Sequence, residues 1–459
     1  MLFCGTFIHR MKIFHRILIL FFLLSPLSLL AQAPADTVPT ALGLRQCIEY
    51  ALRNQPAVRQ ASIDEAINER DIHIGLAGWL PQVNSANSAS HYFKGSPVNG
   101  GAAAATGSSG TTAADIRNIS TIGVQATQTI YNNDVMLASR AARFSRQYYK
   151  QNTQSSQIDV VADVSKAFFD VLLSDKQLQI IREDIVRLQR SLKDAYARYQ
   201  AGVVDKTDYK QATISLNNSI AQRKSTEEAY KSKLAYLKQV MGLTAEHELN
   251  LVYDSTRYEA ETHADTMQVL DFSHRIEYQQ LLSQKNLDQL NVNYYKYGFL
   301  PSLSANGAYN LAYFSSKLGD LYNTSYPQAY VGLTLNIPIF TGTRRLQNLA
   351  KARLQIDRTD LDLLNLRNSI NTQYVQALAG YKSNYTNYQL LKQNVDLAND
   401  VYKVVSLQYR EGIKTYLDVI VAQSDLRTAE LNYFNALFQV LSAKIDLQKA
   451  LGNLSPANL

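Results

Sequence analysis

Tyr199-Gln-Ala-Gly202-Val-Val-Asp-Lys-Thr-Asp208 and Tyr409-Arg-Glu-Gly412-Ile-Lys-Thr-Tyr-Leu-Asp418 are the two stretches that decide the fold. They carry tyrosine, glycine and aspartate at identical spacing, offset by 210 residues. Gly242 and Gly452 keep that offset, and upstream Gly78-Trp-Leu-Pro81 is echoed by Gly298-Phe-Leu-Pro301 at an offset of 220. Self-similarity at a fixed period means a repeated structural unit, so the chain is two copies of one unit whose loops differ slightly in length.

Each glycine ends a very long helical pattern. From Asn133 to Ala201 there is neither Gly nor Pro, and from Thr343 to Glu411 only Gly380 interrupts. At a rise of 1.5 Å per residue, such a helix is roughly 100 Å long, more than a compact domain holds. Leu178, Ile181, Ile185, Leu188, Leu192, Ala195 and Tyr199 alternate steps of three and four, and Tyr388, Leu391, Val395, Ala398, Tyr402, Val405 and Tyr409 repeat the phase. That period of 3.5 specifies left-handed coiled-coil packing. Gly202 and Gly412 supply the left-handed residue that stops a helix, and Asp205 or Thr415 caps the next one. Asp208 and Asp418 follow three residues on, in the first turn, where an acid suits the helix dipole. Each copy is therefore an antiparallel α-hairpin with its tip at the glycine. Capping by itself accounts for Asp205 and Thr415; it accounts less completely for Asp208 and Asp418.

Strand patterns precede each long helix. In residues 302–313 the odd positions Leu303, Ala305, Tyr309, Leu311 and Tyr313 are apolar; in residues 328–339 the odd set is Ala329, Val331, Leu333, Leu335, Ile337 and Ile339. Ile122, Val124 and Ala126 alternate more weakly in the first copy, and residues 82–93 are mostly Ser, Asn and Ala. Alternation with period two marks strands with one apolar face, and about 12 residues suffice to cross a bilayer when tilted. Trp79, Tyr92, Phe93, Tyr131, Phe299, Phe314, Tyr326 and Phe340 cluster at the strand ends, as interfacial girdles would. A soluble sheet with one wet face is the competing reading. Four strands per chain cannot close a barrel, and open edges are not tolerated in lipid. Two copies would give eight strands with a filled interior, whereas three give twelve and leave a lumen.

The expected organisation is a signal peptide over residues 1–33 and a first repeat over 34–243, with strands about 81–93 and 116–130 and long helices about 133–201 and 205–241. An acidic, aperiodic equatorial connector with one short strand at Leu249–Leu251 spans 244–265. The second repeat spans 266–459, with strands about 301–314 and 327–339 and long helices about 343–411 and 415–451. The signal reading rests on Lys12 and Arg16, the apolar run Ile17–Leu30 and the small-residue site Ala31-Gln32-Ala33. A start at Met11 would serve equally, and no cysteine stands at the cleavage site for lipid attachment. The Gly/Ala/Ser/Thr stretch from Gly95 to Ala114 reads as an outer-face loop.

Loss of the signal segment leaves 426 of 459 residues and lowers the formal charge from +7 to about +4, without the concentrated basic stripe of a nucleic-acid binder. Cys47 is the one remaining cysteine, so neither an internal disulfide nor a thiol metal site is expected. His73, His91, His247, His263 and His274 form no metal-binding spacing, and no phosphate loop is present. An enzyme and a cofactor are not expected.

These residues resemble the TolC-type outer-membrane efflux proteins over nearly the whole mature chain. The resemblance rests on the duplicated Tyr-x-x-Gly-x-x-x-x-x-Asp tip, the Gly-aromatic-Leu-Pro strand entry, the Gly342-Thr343-Arg344 exit and the order of elements. It implies a mainly α fold with a membrane β-barrel, in which β-hairpins and long antiparallel coiled-coil helices form a trimeric 12-stranded barrel and an α-helical tunnel. It further implies a homotrimer in outer-membrane lipid that spans into the periplasm, with an inner-membrane pump and a periplasmic adaptor. By position, the resemblance assigns Tyr409, Lys414, Asp418, Thr207 and Asp208 to a periplasmic constriction. Gly202, Val203, Val204, Asp205, Gly412, Ile413 and Thr415 are assigned to adaptor-docking tips. Some relatives carry a second acid where this chain has Val421, so an acidic cation-binding ring should be weaker here. The function expected is passive conduction in a tripartite efflux system. The alternatives are the channel of a type I protein secretion system and a periplasmic coiled-coil protein without a pore.

Overall fold

The computed structural model describes residues 41–94, 116–252 and 255–454; the expected signal segment and the Gly95–Ala114 loop lie outside them. Helices α1 (Leu44–Asn54) and α2 (Pro56–Leu76) lead into strands β1 (Gln82–His91) and β2 (Asn118–Tyr131), then α3 (Asn133–Gln200) and α4 (Lys206–Met241). After a connector, the second unit runs α5 (Ile276–Lys296), β3 (Ser302–Ser315), β4 (Ser325–Asn336), α6 (Arg344–Arg410) and α7 (Tyr416–Leu451).

Helix α3 has 68 residues and α6 has 67, each about 100 Å long. Gly380 does not interrupt α6, because a single glycine costs a helix only about 1 kcal/mol and neighbouring turns carry the ladder. The seam residues Leu178, Ile181, Ile185, Leu188 and Ala195 are buried against neighbouring helices. Those of α6 are mostly half-buried, and Leu390, Leu397, Val401, Val404 and Leu407 beside them stand exposed.

The best-buried region lies midway along α3. From Val160 to Leu172 most positions are buried, and α7 and the connector pack on this stretch. Phe169 meets Phe438 of α7 at a ring separation of 6.3 Å, and both Phe168 and Phe169 face Tyr258 of the connector. Each such ring contributes about 1.5–3 kcal/mol by leaving water. Cys47 belongs to the same packing, and burial pushes its thiol up to about 12, so it acts as a small apolar residue.

The connector lies on this girth. Its Asn250–Leu251 strand runs beside Leu42, whose carbonyl accepts from the Val252 amide at 3.1 Å. Tyr381 of α6 donates its hydroxyl to the Thr262 carbonyl at 2.8 Å and accepts from the Ala264 amide at 2.7 Å. Glu259 accepts from Lys392 and Tyr433, each at 2.7 Å, so the connector is tied to both helices of the second hairpin.

The four long strands form one antiparallel sheet in the order β1-β2-β3-β4, so the hairpins of the two units join through β2 and β3. The register places Leu303 opposite Leu335, Ala305 opposite Leu333 and Gly307 opposite Val331; on the next strand Val124 lies opposite Tyr309 and Ile122 opposite Leu311. One face is thus apolar across three strands. The other carries Asn306 opposite Thr127, Asn310 opposite Gly123 and Thr334 opposite Ser304. Strand β1 brings Ser85, Asn87 and Ala89 to the otherwise apolar face, the weak alternation already visible in its sequence. Strand β4 stops at Asn336, short of the alternating pattern, because Pro338 removes a ladder donor. No helix among the described residues is long and apolar enough to cross a membrane.

Candidate functional site

The two helix-hairpin tips are built by the same local rule. Gly202 and Gly412 adopt φ of 71° and 80°, and their amides reach back to the Tyr199 and Tyr409 carbonyls at 3.0 and 3.1 Å. The following amides, of Val203 and Ile413, reach Arg198 and Gln408 at 3.0 and 2.9 Å, which closes the last helical turn. Val203 and Ile413 then project into solvent at equivalent positions, while Val204 is half-buried.

The caps differ. At the first tip Asp205 accepts from the Thr207 amide at 3.1 Å and from its hydroxyl at 3.3 Å, and Asp208 takes no part. Burial and the nearby Asp205 charge raise the Asp208 carboxyl. At the second tip Thr415 and Asp418 form a reciprocal box. The Thr415 hydroxyl and amide donate to Asp418 Oδ2 at 2.7 and 3.0 Å, and the Asp418 amide donates to Thr415 Oγ1 at 3.3 Å. These bonds hold the Asp418 carboxyl below its ordinary value. The cap is therefore complete at neutral pH and is lost only as the pH falls through that lowered value. Lys414 Nζ stands 3.9 Å from Asp418 Oδ1, a loose exposed pair.

The tips meet through aromatic side chains. Tyr416 packs on Ala195 and Ala212 of the first hairpin, with Leu192, Tyr209, Tyr409 and Ile420 around them. Tyr409 and Tyr416 rings lie 5.8 Å apart, and the Arg198 guanidinium sits 4.6 Å from the Tyr409 ring centre. Both hydroxyls are buried without a hydrogen-bond partner among the described residues. Burial raises both phenols, and the acids Asp208 and Asp194 add to it. The structure thus brings Tyr409 into the surroundings of Asp208, while Asp418, Lys414 and Thr415 form a separate group on their own tip. Leu417 and Val421 stand exposed on α7 beside that group.

About 27 Å further along α3 lies a polar cluster that sequence reading did not find. Asp184 is 2% exposed and accepts from Gln423 at 2.9 Å, from Ser219 at 3.1 Å and from Arg427 at 3.2 Å. Arg187 approaches Asp184 and Glu430, each at 3.7 Å. The cluster joins α3, α4 and α7, hence both hairpins. Its signal in the sequence was slight: Asp184 stands three residues after Ile181 and four before Leu188, a core-facing position, but charges beside a 3.5-residue seam usually flank it.

A family model described as "Outer membrane efflux protein" matches residues 47–243 and 283–453. The chain is 22% identical over 343 residues to outer membrane protein TolC of Vibrio cholerae, covering 72% of this chain and 76% of that protein. It is 20% identical over 436 residues to outer membrane protein TolC of Escherichia coli, covering 92% and 85%. Among solved structures, CusC superposes with a TM-score of 0.73 at 18% identity, covering 92% of this chain and 95% of that one. The outer membrane channel CmeC of Campylobacter jejuni gives 0.70 at 16% identity, covering 90% and 86%.

Proposed function

The chain belongs to the outer membrane efflux protein family, a family of non-enzymatic transport channels of the outer membrane, and from that premise we propose that three copies close one pore. Efflux-pump partners follow from the family. In this reading the three four-stranded sheets join edge to edge into a 12-stranded barrel, and the six α-hairpins continue it as a tunnel across the periplasm. Substrates delivered by an inner-membrane pump through a periplasmic adaptor then pass outward passively. The observation that carries the reading is the sheet: apolar on one face, polar on the other, and open at β1 and β4, continuous with two hairpins, in the second of which α6 leaves an apolar stripe exposed. Open edges in lipid require partners, and further copies supply them. Light scattering with detergent correction on the mature protein should give a trimer. A stable monomer or dimer sinks the barrel.

The constriction belongs to the same proposal. Three copies of Lys414 and Asp418 recur around the axis, with Tyr409, Thr207 and Asp208 contributed by the adjoining first tip and the aromatic contact between the tips, and Gly202, Val203, Val204, Asp205, Gly412, Ile413 and Thr415 form the surface offered to the adaptor. A ring of carboxylates at a narrow mouth is a selectivity device. Asp418→Ala removes the ring and opens the reciprocal cap, so single-channel conductance in planar bilayers should rise and inhibition by divalent cations from the periplasmic side should weaken. An unaltered current removes Asp418 from the gate and leaves it as a cap alone.

A further inference from the structure

Just past β4 stands a surface that conduction does not use. The ladder with β3 ends at Asn336, and Ile337, Ile339 and Phe340 continue uncovered, Ile339 94% and Phe340 87% exposed. In the sequence, Ile337 and Ile339 continue the odd parity of Leu333 and Leu335, which lie on the apolar face. The chain then enters α6 with Arg344 and Arg345, followed by Lys351 and Arg353, and no acid stands between Asp320 and Asp357. Arg345 lies over the half-exposed Phe299 ring at 5.6 Å, and none of the four cations has a carboxylate partner among the described residues.

The start of α6 departs from the other long helices. Helices α3, α4 and α7 each have a capping side chain and an acid in the first turn, Asp134, Asp208 and Asp418. Helix α6 has no side-chain cap and begins with two arginines. Cations at the positive end of a helix are unfavourable unless an external anion faces them. An apolar wedge followed by guanidinium groups without carboxylate partners matches the boundary between acyl chains and phosphates. Arginine's planar fork suits phosphate oxygens, and Lys351, about 10 Å along the helix, has a side chain long enough to reach up to that zone.

We propose that this patch binds anionic phospholipids of the periplasm-facing leaflet, with Ile339 and Phe340 seated among the acyl chains and Arg344 and Arg345 on the headgroup phosphates. The inference rests on the reading of β1–β4 as membrane strands. It is tested by native mass spectrometry of the detergent-extracted mature protein, mixed with dioleoyl phosphatidylglycerol or with dioleoyl phosphatidylcholine. Wild type should retain the anionic lipid over the zwitterionic one by about tenfold, as expected for a few juxtaposed basic residues. The preference should fall to near parity in R344Q/R345Q and persist in R344K/R345K, which keeps the charge. Equal retention of the two lipids by wild type overturns the proposal without any variant, as does a preference that survives R344Q/R345Q undiminished. Lost preference in a protein that still inserts as an oligomer leaves the channel intact; failure to fractionate with the outer membrane would instead sink the channel reading.

Discussion

Gly452→Ala should damage folding far more than Gly412→Ala, although both glycines end a long helical hairpin arm or its tip in the same left-handed conformation. Gly452 has φ 76° and Gly412 φ 80°, so an alanine at either costs about 1–2 kcal/mol in backbone strain. The surroundings differ. A Cβ at Gly412 meets nothing within 4 Å, whereas one at Gly452 would lie 2.9 Å from the carbonyl carbon and oxygen of His274. Gly242, its counterpart, is closed in the same way by the Asn54 carbonyl oxygen at 2.8 Å. Backbone cannot yield as a side-chain end can, so Gly452→Ala and Gly242→Ala should sharply lower the yield of inserted protein and its thermal dissociation midpoint. Gly202→Ala and Gly412→Ala should shift that midpoint little. Gly412→Val, which forces a β-branched residue into the left-handed region at the tip, should abolish export while insertion persists. Equal yields for the Gly412 and Gly452 alanine variants would show that the closure at His274 does not hold the second unit together.

Asp184→Ala should loosen the join between hairpins by about 3 kcal/mol, because removing one member of a buried charged network leaves the others uncompensated. The estimate is at the low end of the range for buried pairs since the Arg427 side chain is 32% exposed and keeps some access to water. Gln423 and Ser219, both buried, lose their acceptor outright. Asp184→Asn, which keeps one acceptor oxygen, should cost less. Amide hydrogen exchange should accelerate in α3 around Ile181–Leu188 and in α7 around Val419–Arg427, while the buried girth near Phe168 and Phe438 keeps its protection. Unchanged exchange in those segments would mean that apolar packing, and not this cluster, joins the hairpins there.

Much of this molecule is written locally. The glycine-free runs, the steps of three and four, and Gly202 and Gly412 with their capping residues define helices and turns through contacts within a few residues of the chain. Alternation at Leu303–Tyr313 and Ala329–Ile337 defines strands in the same way, and the offsets of 210 and 220 reveal the duplication without any contact at all. Repetition then brought the family within reach. Other features depend on groups from opposite ends of the chain. That β2 pairs with β3, that Asp208 lies near tyrosines of the other hairpin, and that Asp184 faces Gln423 and Arg427 are decided by how the two units dock. So is the difference between Gly412 and Gly452, equal in sequence role and in φ. Periodicity constrains which face of an element is apolar; which atoms meet across that face is set only when the second unit has folded against the first.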